Sequence, residues 1–306
     1  TLVIVTSDNG MAFPRAKANV YEYGVHMPLA IMWPARMPGG RVIDDLVGFV
    51  DITATILDAA GVGHPSTSPP LSGRSFKDIL LSKKQGVVDP SRDAVYVARE
   101  RHSSVRFNSL GYPQRGLRTH DFLYIRNFTP ERWPAGAPQK YGTGSYADEG
   151  DVLARRLGPR RAAYHDIDPC PSLDYLVTHH DDPRVAPFLR LAVDKRPAEE
   201  LYDIRQDPGC LENLAADPGH AHVLAKLRER LLVHLEKTGD PRVTGRGHVW
   251  ETYPRYSPLR WFPTPPWALE RPDAVPQQDW LEERRPTPEG IETARCSRVS
   301  SRGADS

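Results

Sequence analysis

The chain opens on an apolar, β-branched run, Leu2-Val3-Ile4-Val5, that stops at the turn-forming Ser7-Asp8-Asn9-Gly10. A buried strand of an α/β sheet ends in this way. A second apolar patch, Pro28-Leu29-Ala30-Ile31-Met32-Trp33, is cut off by Pro34 and the Pro38-Gly39-Gly40 loop and predicts a second strand. Over residues 51–60, Ile52, Ile56, Leu57 and Ala60 share one helical face, Asp51 stands as the candidate N-cap and Gly61 as the left-handed C-terminal residue.

After a polar, Pro-rich loop around residues 63–75, residues 94–99 and 122–127 predict strands, and Glu200-Leu201-Tyr202-Asp203 a short third one. Asp217-Pro218 opens a helix in which Val223, Leu224, Leu227, Leu231 and Leu235 recur at helical spacing and Gly239 closes it. Short strands followed by one amphipathic helix predict a small α+β subdomain. Periodicity is lost beyond residue 240, where ten of the 30 prolines and four of the six tryptophans fall. Tryptophans such as Trp250 and Trp261 are costly to leave in water, so residues 241–285 read as an ordered, irregular strap and 286–306 as a disordered tail. The organisation expected is an α/β unit over 1–90, an α+β subdomain with an insertion over 91–240, and strap and tail over 241–306.

Charge removes some function classes. Lys and Arg number 40 against 39 Asp and Glu in 306 residues, a balance unlike the basic excess of a dedicated nucleic-acid binder. No apolar run approaches the roughly 20 residues that span a bilayer. Three scattered cysteines, Cys170, Cys210 and Cys296, make neither a disulfide framework nor a cysteine zinc site. The chain begins directly on Thr-Leu-Val-Ile-Val-Thr, which reads like the middle of a protein, and upstream sequence is expected.

The most informative constellation is Asp8-Asn9 at the carboxyl end of the first strand, the edge where α/β sheets place ligands. A carboxylate beside a carboxamide offers two hard oxygens suited to Ca²⁺ or Mg²⁺; the same Asp-Asn-Gly is equally the composition of a plain turn. Lys17 follows in the loop, then Gly24, Pro28-Leu29 and Trp33-Pro34. In this order the segment resembles the second half of the active site of the type I sulfatases, in which a strand ends in Ser-Asp-Asn-Gly, a basic residue follows, and a Gly and Pro-Leu lead into a strand ending near Trp-Pro.

Asp51-Ile52-Thr53-Ala54-Thr55-Ile56-Leu57-Asp58 is similar to the family's Asp-x-x-Pro-Thr-x-x-Asp helix, with Ala54 at the proline position. Glu200-Leu201-Tyr202-Asp203, Asp207-Pro208 and Glu212-Asn213-Leu214-Ala215 resemble its C-terminal signature. The likeness covers about residues 1–240 and is nearest to the branch of heparan N-sulfatase, the N-sulfoglucosamine sulfohydrolases, and bacterial polysaccharide sulfatases. It implies part of an alkaline-phosphatase-like α/β core followed by a small antiparallel sheet with its helix. It further implies hydrolysis of a sulfate ester or sulfamate on a sulfated saccharide, Ca²⁺ ligation by Asp8 and Asn9, and a Lys17 ammonium on a sulfate oxygen. The alternative for Lys17 is an exposed loop lysine.

Arg99-Glu100-Arg101-His102, with Arg115 and Arg118, is a second concentration of polar groups. Guanidinium binds sulfate and carboxylate bidentately and imidazole donates to a sugar hydroxyl or leaving group, so a saccharide wall containing Arg101, His102 and Arg118 stands beside the reading of a charged strand edge. The family's nucleophile is a formylglycine made from Cys/Ser-x-Pro-x-Arg, and no such motif occurs in the 306 residues. Around Cys170 the proline comes one place early, and Cys296 has none. The only adjacent aspartates, Asp44-Asp45 and Asp181-Asp182, close no apolar strand and read as loop or helix-entry residues rather than the early Asp pair of a calcium site. This chain alone is therefore expected to be inactive. A phosphatase or phosphodiesterase of the same superfamily, and a non-catalytic polysaccharide-binding module, are the rival readings; Asn9, where a di-zinc relative would take a histidine, favours one hard cation. By family analogy the location would be periplasmic, extracellular or lysosomal.

Overall fold

The structure, a computed structural model, describes residues 1–139, 164–256 and 259–284. The expected tail over 286–306, and residues 140–163 of the expected insertion, lie outside the described residues. Strands β1 (Val3–Thr6) and β2 (Leu29–Met32) pair antiparallel, Val3 opposite Met32 and Thr6 opposite Leu29. The expectation of a buried first strand is corrected: Val3, Val5 and Met32 are exposed. Among the described residues β1 pairs with β2 alone, and the half-buried positions of the pair alternate with these exposed ones.

Helix α1 (Glu22–Val25) lies in the β1–β2 connection, and α2 (Phe49–Ala60) and α3 (Lys77–Leu81) follow β2. Asp51 is not the N-cap of α2. Gly48 holds that position and Asp51 sits in the first turn, its carboxylate accepting from the Gly48 and Arg74 N–H groups at 3.0 and 2.8 Å. Burial explains the inward turn, because Arg92 adds a 3.0 Å ion pair to the same carboxylate. Gly61 closes α2 in the left-handed region at φ 66°, where a Cβ would be unfavourable. Phe76, Ile79 and Leu80 pack there with Ile31, Ile43, Ile52 and Val88. Asp45 is a buried loop residue whose carboxylate accepts from the Val88 and Asp89 N–H groups.

The second sheet is fully antiparallel in the order β3 (Ala94–Arg99), β4 (Gln114–Thr119), β5 (Phe122–Asn127) and β6 (Glu199–Asp203). Helices α4 (Pro171–Thr178) and α5 (Ala186–Val193) lie between β5 and β6, and α6 (Ala221–Lys237) follows. Period-two alternation gives the sheet two apolar faces. Leu117, Tyr124 and Leu201 pack against Leu224, Leu227, Leu231 and Leu235 of α6. On the other face Leu123, Ile125 and Tyr202 pack against Val20, Tyr21, Ile204 and Cys210. The sheet is therefore the floor on which the β1–β2 connection, with Lys17, is laid. Three short helices, α7 (Val249–Thr252), α8 (Pro266–Glu270) and α9 (Asp279–Glu282), form the strap; Trp267 and Ala268 pack on Leu110, and Glu251 is buried against Arg132 at 2.7 Å.

Candidate functional site

Close backbone contact shapes the loop that leaves β1. A Cβ on Gly10 would lie 2.4 Å from the Tyr23 carbonyl oxygen, and one on Gly24 2.4 Å from that of Asn19 and 2.5 Å from that of Ala16. Only glycine allows these segments to touch. The Ser7 hydroxyl donates to the Asn9 carbonyl at 2.8 Å and the Thr6 hydroxyl to the Pro28 carbonyl at 2.8 Å, tying the turn to the entry of β2. The Lys17 N–H then donates to the Met11 carbonyl at 3.0 Å, so the loop doubles back on itself between Met11 and Lys17.

The loop is fastened from below by a buried carboxylate. Glu200 of β6 accepts from the Tyr21 and Tyr202 hydroxyls at 2.7 and 2.6 Å and from the Asn127 amide at 2.7 Å. Arg15 lies 3.8 Å over the Tyr21 ring, and the Arg196 guanidinium donates to the Asn19 side-chain oxygen at 2.9 Å. Arg15 and Ala18, which flank Lys17, both have left-handed backbones, at φ 64° and 59°. Non-glycine residues hold such conformations only where their surroundings fix them.

The structure brings Lys17 and His102 to one loop. Lys17 Nζ donates to Asp168 Oδ2 at 2.7 Å, and His102 Nδ1 lies 3.1 Å from Asp166 Oδ1. Asp166 is only 2% exposed, and its second oxygen accepts from both Arg99 and Arg106. Burial alone would raise the Asp166 carboxyl, but the charges of Arg106 and Arg99 and the bond with His102 hold it well below the usual carboxylate range. Burial also lowers the Arg99 guanidinium, to about 10, which leaves it charged at neutral pH. Neither Asp166 nor Asp168 is singled out by the sequence. The one local signal is the alternation Asp166-Ile167-Asp168, in which the half-buried pattern carries Ile167 into an apolar cluster with Leu173 and Val193.

The remaining polar residues of the expected wall are engaged elsewhere. Arg118 meets Glu22 through two donors at 2.7 and 3.1 Å. Burial, which alone would raise the Glu22 carboxyl, is outweighed by hydrogen bonds from His26 and Arg118 that bring it down to about 2. Arg115 spans Glu100 and Asp240, each at 2.6 Å. Arg101 donates to the Tyr253 carbonyl at 2.5 Å and lies 5.4 Å over Trp280, which ties it to the strap. His102, one-third exposed, is the side chain of the Arg99-Glu100-Arg101-His102 run that combines a fixed ring with an accessible edge.

Asp8 is exposed and Asn9 half-buried in the bend after β1. Their oxygens suit a hard cation, yet among the described residues no group of three or more His, Cys, Asp or Glu is placed to hold a metal. A Ca²⁺ shell takes 6–8 oxygens, of which this pair could offer two side-chain ones. No described helix is long and apolar enough to cross a membrane.

The family model for the C-terminal region of N-sulphoglucosamine sulphohydrolase matches residues 15–133. The chain is 28% identical to N-sulphoglucosamine sulphohydrolase of Homo sapiens, over 82% of this chain and 44% of that protein. It is 24% identical to an ulvan-active sulfatase of Formosa agariphila, over 78% of this chain and 38% of that protein. The chain thus spans less than half the length of these curated relatives. A solved structure of a protein in complex with its substrate D-glucosamine-2-N,6-O-disulfate superposes with a TM-score of 0.50 at 20% identity, covering 79% of this chain and 36% of that one. That likeness concerns the fold.

Proposed function

The chain belongs to the type I sulfatase family, close to the N-sulfoglucosamine sulfohydrolase and bacterial polysaccharide-sulfatase branch, and from that membership we propose that it forms the substrate-facing C-terminal part of an enzyme hydrolysing a sulfate ester or sulfamate on a saccharide. The observation that supports the reading most is the convergence of Lys17 and His102 on Asp168 and Asp166, two residues apart. A cation and an imidazole, each held by a carboxylate of the same short segment, suit an anionic sulfur centre and the sugar oxygen or nitrogen that bears it.

In this reading Lys17 exchanges its bond to Asp168 for a sulfate oxygen and stabilises charge that develops there. His102 meets the saccharide through its exposed edge. Asp8 and Asn9 would contribute two oxygens to a Ca²⁺ shell, and the bound cation would supply further positive charge against the sulfate. The nucleophile would come from outside these 306 residues, since they hold no Cys/Ser-x-Pro-x-Arg motif.

Titration of the chain with glucosamine N-sulfate and glucosamine 6-sulfate, followed by NMR, tests the binding half. Saturable shifts are expected at Lys17 and His102 and are lost in Lys17→Ala. Shifts that survive Lys17→Ala, or identical shifts with unsulfated glucosamine, refute the assignment of Lys17. Release of sulfate from 4-nitrocatechol sulfate by the purified chain refutes the external nucleophile.

A further inference from the structure

Asp166 is a buried charge with a specific geometry. One oxygen sits in a fork made by the Arg99 and Arg106 guanidinium groups, which also share the Pro134 carbonyl as a second acceptor, at 3.0 and 2.6 Å. The other oxygen is 3.1 Å from His102 Nδ1. The fork is stiff because both arginines are buried, with side chains 6% and 4% exposed. An ionised carboxylate only accepts, so the contact with His102 requires the proton on Nδ1. In a neutral ring that leaves the Nε2 lone pair bare. None of the described contacts engages Nε2, and the ring is one-third exposed.

We infer that Asp166 is a positioning residue that fixes His102 in the Nδ1–H tautomer and so leaves Nε2 as a hydrogen-bond acceptor for a saccharide O–H or N–H. Two guanidinium groups already face one oxygen of Asp166, and its other oxygen is left to orient the ring. The saccharide as partner rests on the sulfatase reading above; the tautomer does not. Asp168, on the same loop, holds Lys17. The segment over residues 166–168 therefore contacts both groups.

The inference predicts the effect of a near-isosteric change. In Asp166→Asn the Arg99 and Arg106 fork still demands an oxygen, so the amide nitrogen must take the position facing His102. It then donates to Nδ1 and drives the proton to Nε2. Long-range ¹H–¹⁵N spectra of the imidazole-labelled full chain, above the pH at which the ring titrates, read this directly. Wild type is expected to show a protonated Nδ1 and a bare Nε2, and folded Asp166→Asn the reverse. A wild-type ring with a bare Nδ1, or a folded Asp166→Asn that keeps the wild-type tautomer, overturns the inference; the wild-type spectrum decides even where the variant does not fold. Addition of glucosamine N-sulfate separates the two readings: a fixed Nδ1–H tautomer whose Nε2 resonance does not respond to the sugar supports the positioning role and counts against the sulfatase reading alone.

Discussion

Lys17 and Asp168, 151 positions apart in sequence, form an ion pair of 2.7 Å in which each side chain keeps about a third of its surface exposed. Exposed pairs of this kind contribute only about 0–1 kcal/mol, so the contact is weak enough to be exchanged for a ligand anion. Asp168→Asn should lower stability by less than about 1 kcal/mol while raising affinity for a sulfated glucosamine, because Lys17 no longer has an internal competitor. Chemical denaturation together with calorimetric titration checks both. A loss of affinity in a stably folded variant would show that Asp168 contributes to the site rather than competing with the ligand.

Glu22 makes a pH-dependent joint between α1 and the sheet. Its carboxyl is held at about 2 against an ordinary 4.5, so its contribution to stability is full above about 4.5 and is lost as pH falls toward 2. His26 is raised from 6.5, chiefly by its hydrogen bond to Glu22, so its contribution is full below 6.5 and is lost as pH rises through the raised value. The joint is therefore strongest between about 4.5 and 6.5. Arg118→Ala strips the buried carboxylate of its bidentate partner and should cost about 3 kcal/mol, the low end for a broken buried pair because His26 remains. The loss should shrink as Glu22 is protonated in acid. Urea denaturation of both proteins from pH 3 to 8 tests this, and a loss independent of pH would refute it.

Strands with apolar runs were legible from the residues themselves. Val3–Thr6, Leu29–Met32, Ala94–Arg99 and Phe122–Asn127 carry enough apolar or β-branched side chains to stand out, and the leucines of α6 define its buried stripe. Strand β4 was not legible, because Gln114-Arg115-Gly116-Leu117-Arg118-Thr119 has one large apolar residue and its arginines satisfy their charge on Glu100, Asp240 and Glu22. Only tertiary partners make such a strand a central one. The same limit hid Asp166: its partners, His102, Arg99 and Arg106, lie 60 or more residues away, and nothing in the Asp-Ile-Asp spacing names them. Lys17 could be singled out as a candidate from its place in a motif, while its ion pair could not.

Glu251 fastens the strap. Its carboxylate, 1% exposed, accepts from Arg132 at 2.7 Å and from the Gly111 N–H at 3.0 Å. Burial would raise its carboxyl, but Arg132, the Gly111 N–H and Arg242 lower it overall. Glu251→Ala leaves the buried Arg132 guanidinium without its carboxylate and should cost about 3–5 kcal/mol, with the strap loosened first. Limited proteolysis is expected to cut within residues 259–284 before the sheet is attacked. Cleavage that begins in the sheet would show that the strap does not depend on this pair.

Asp8 and Asn9 supply two oxygens, and no further carboxylate stands with them among the described residues in a group fit to hold a metal. Affinity for Ca²⁺ follows ligand number, charge and rigidity, and even built extracellular sites bind at only about 10⁻⁴–10⁻³ M. The chain should therefore bind Ca²⁺ more weakly than about 1 mM, with the response confined to residues near the β1 turn. Calcium titration followed by NMR should show shifts at Asp8, Asn9 and Gly10 that do not saturate below that concentration and vanish in Asp8→Ala. Removal of calcium with a chelator should leave thermal stability unchanged, since a site this weak adds little by mass action. Tight binding that survives Asp8→Ala would place the cation elsewhere and remove the metal role from this pair.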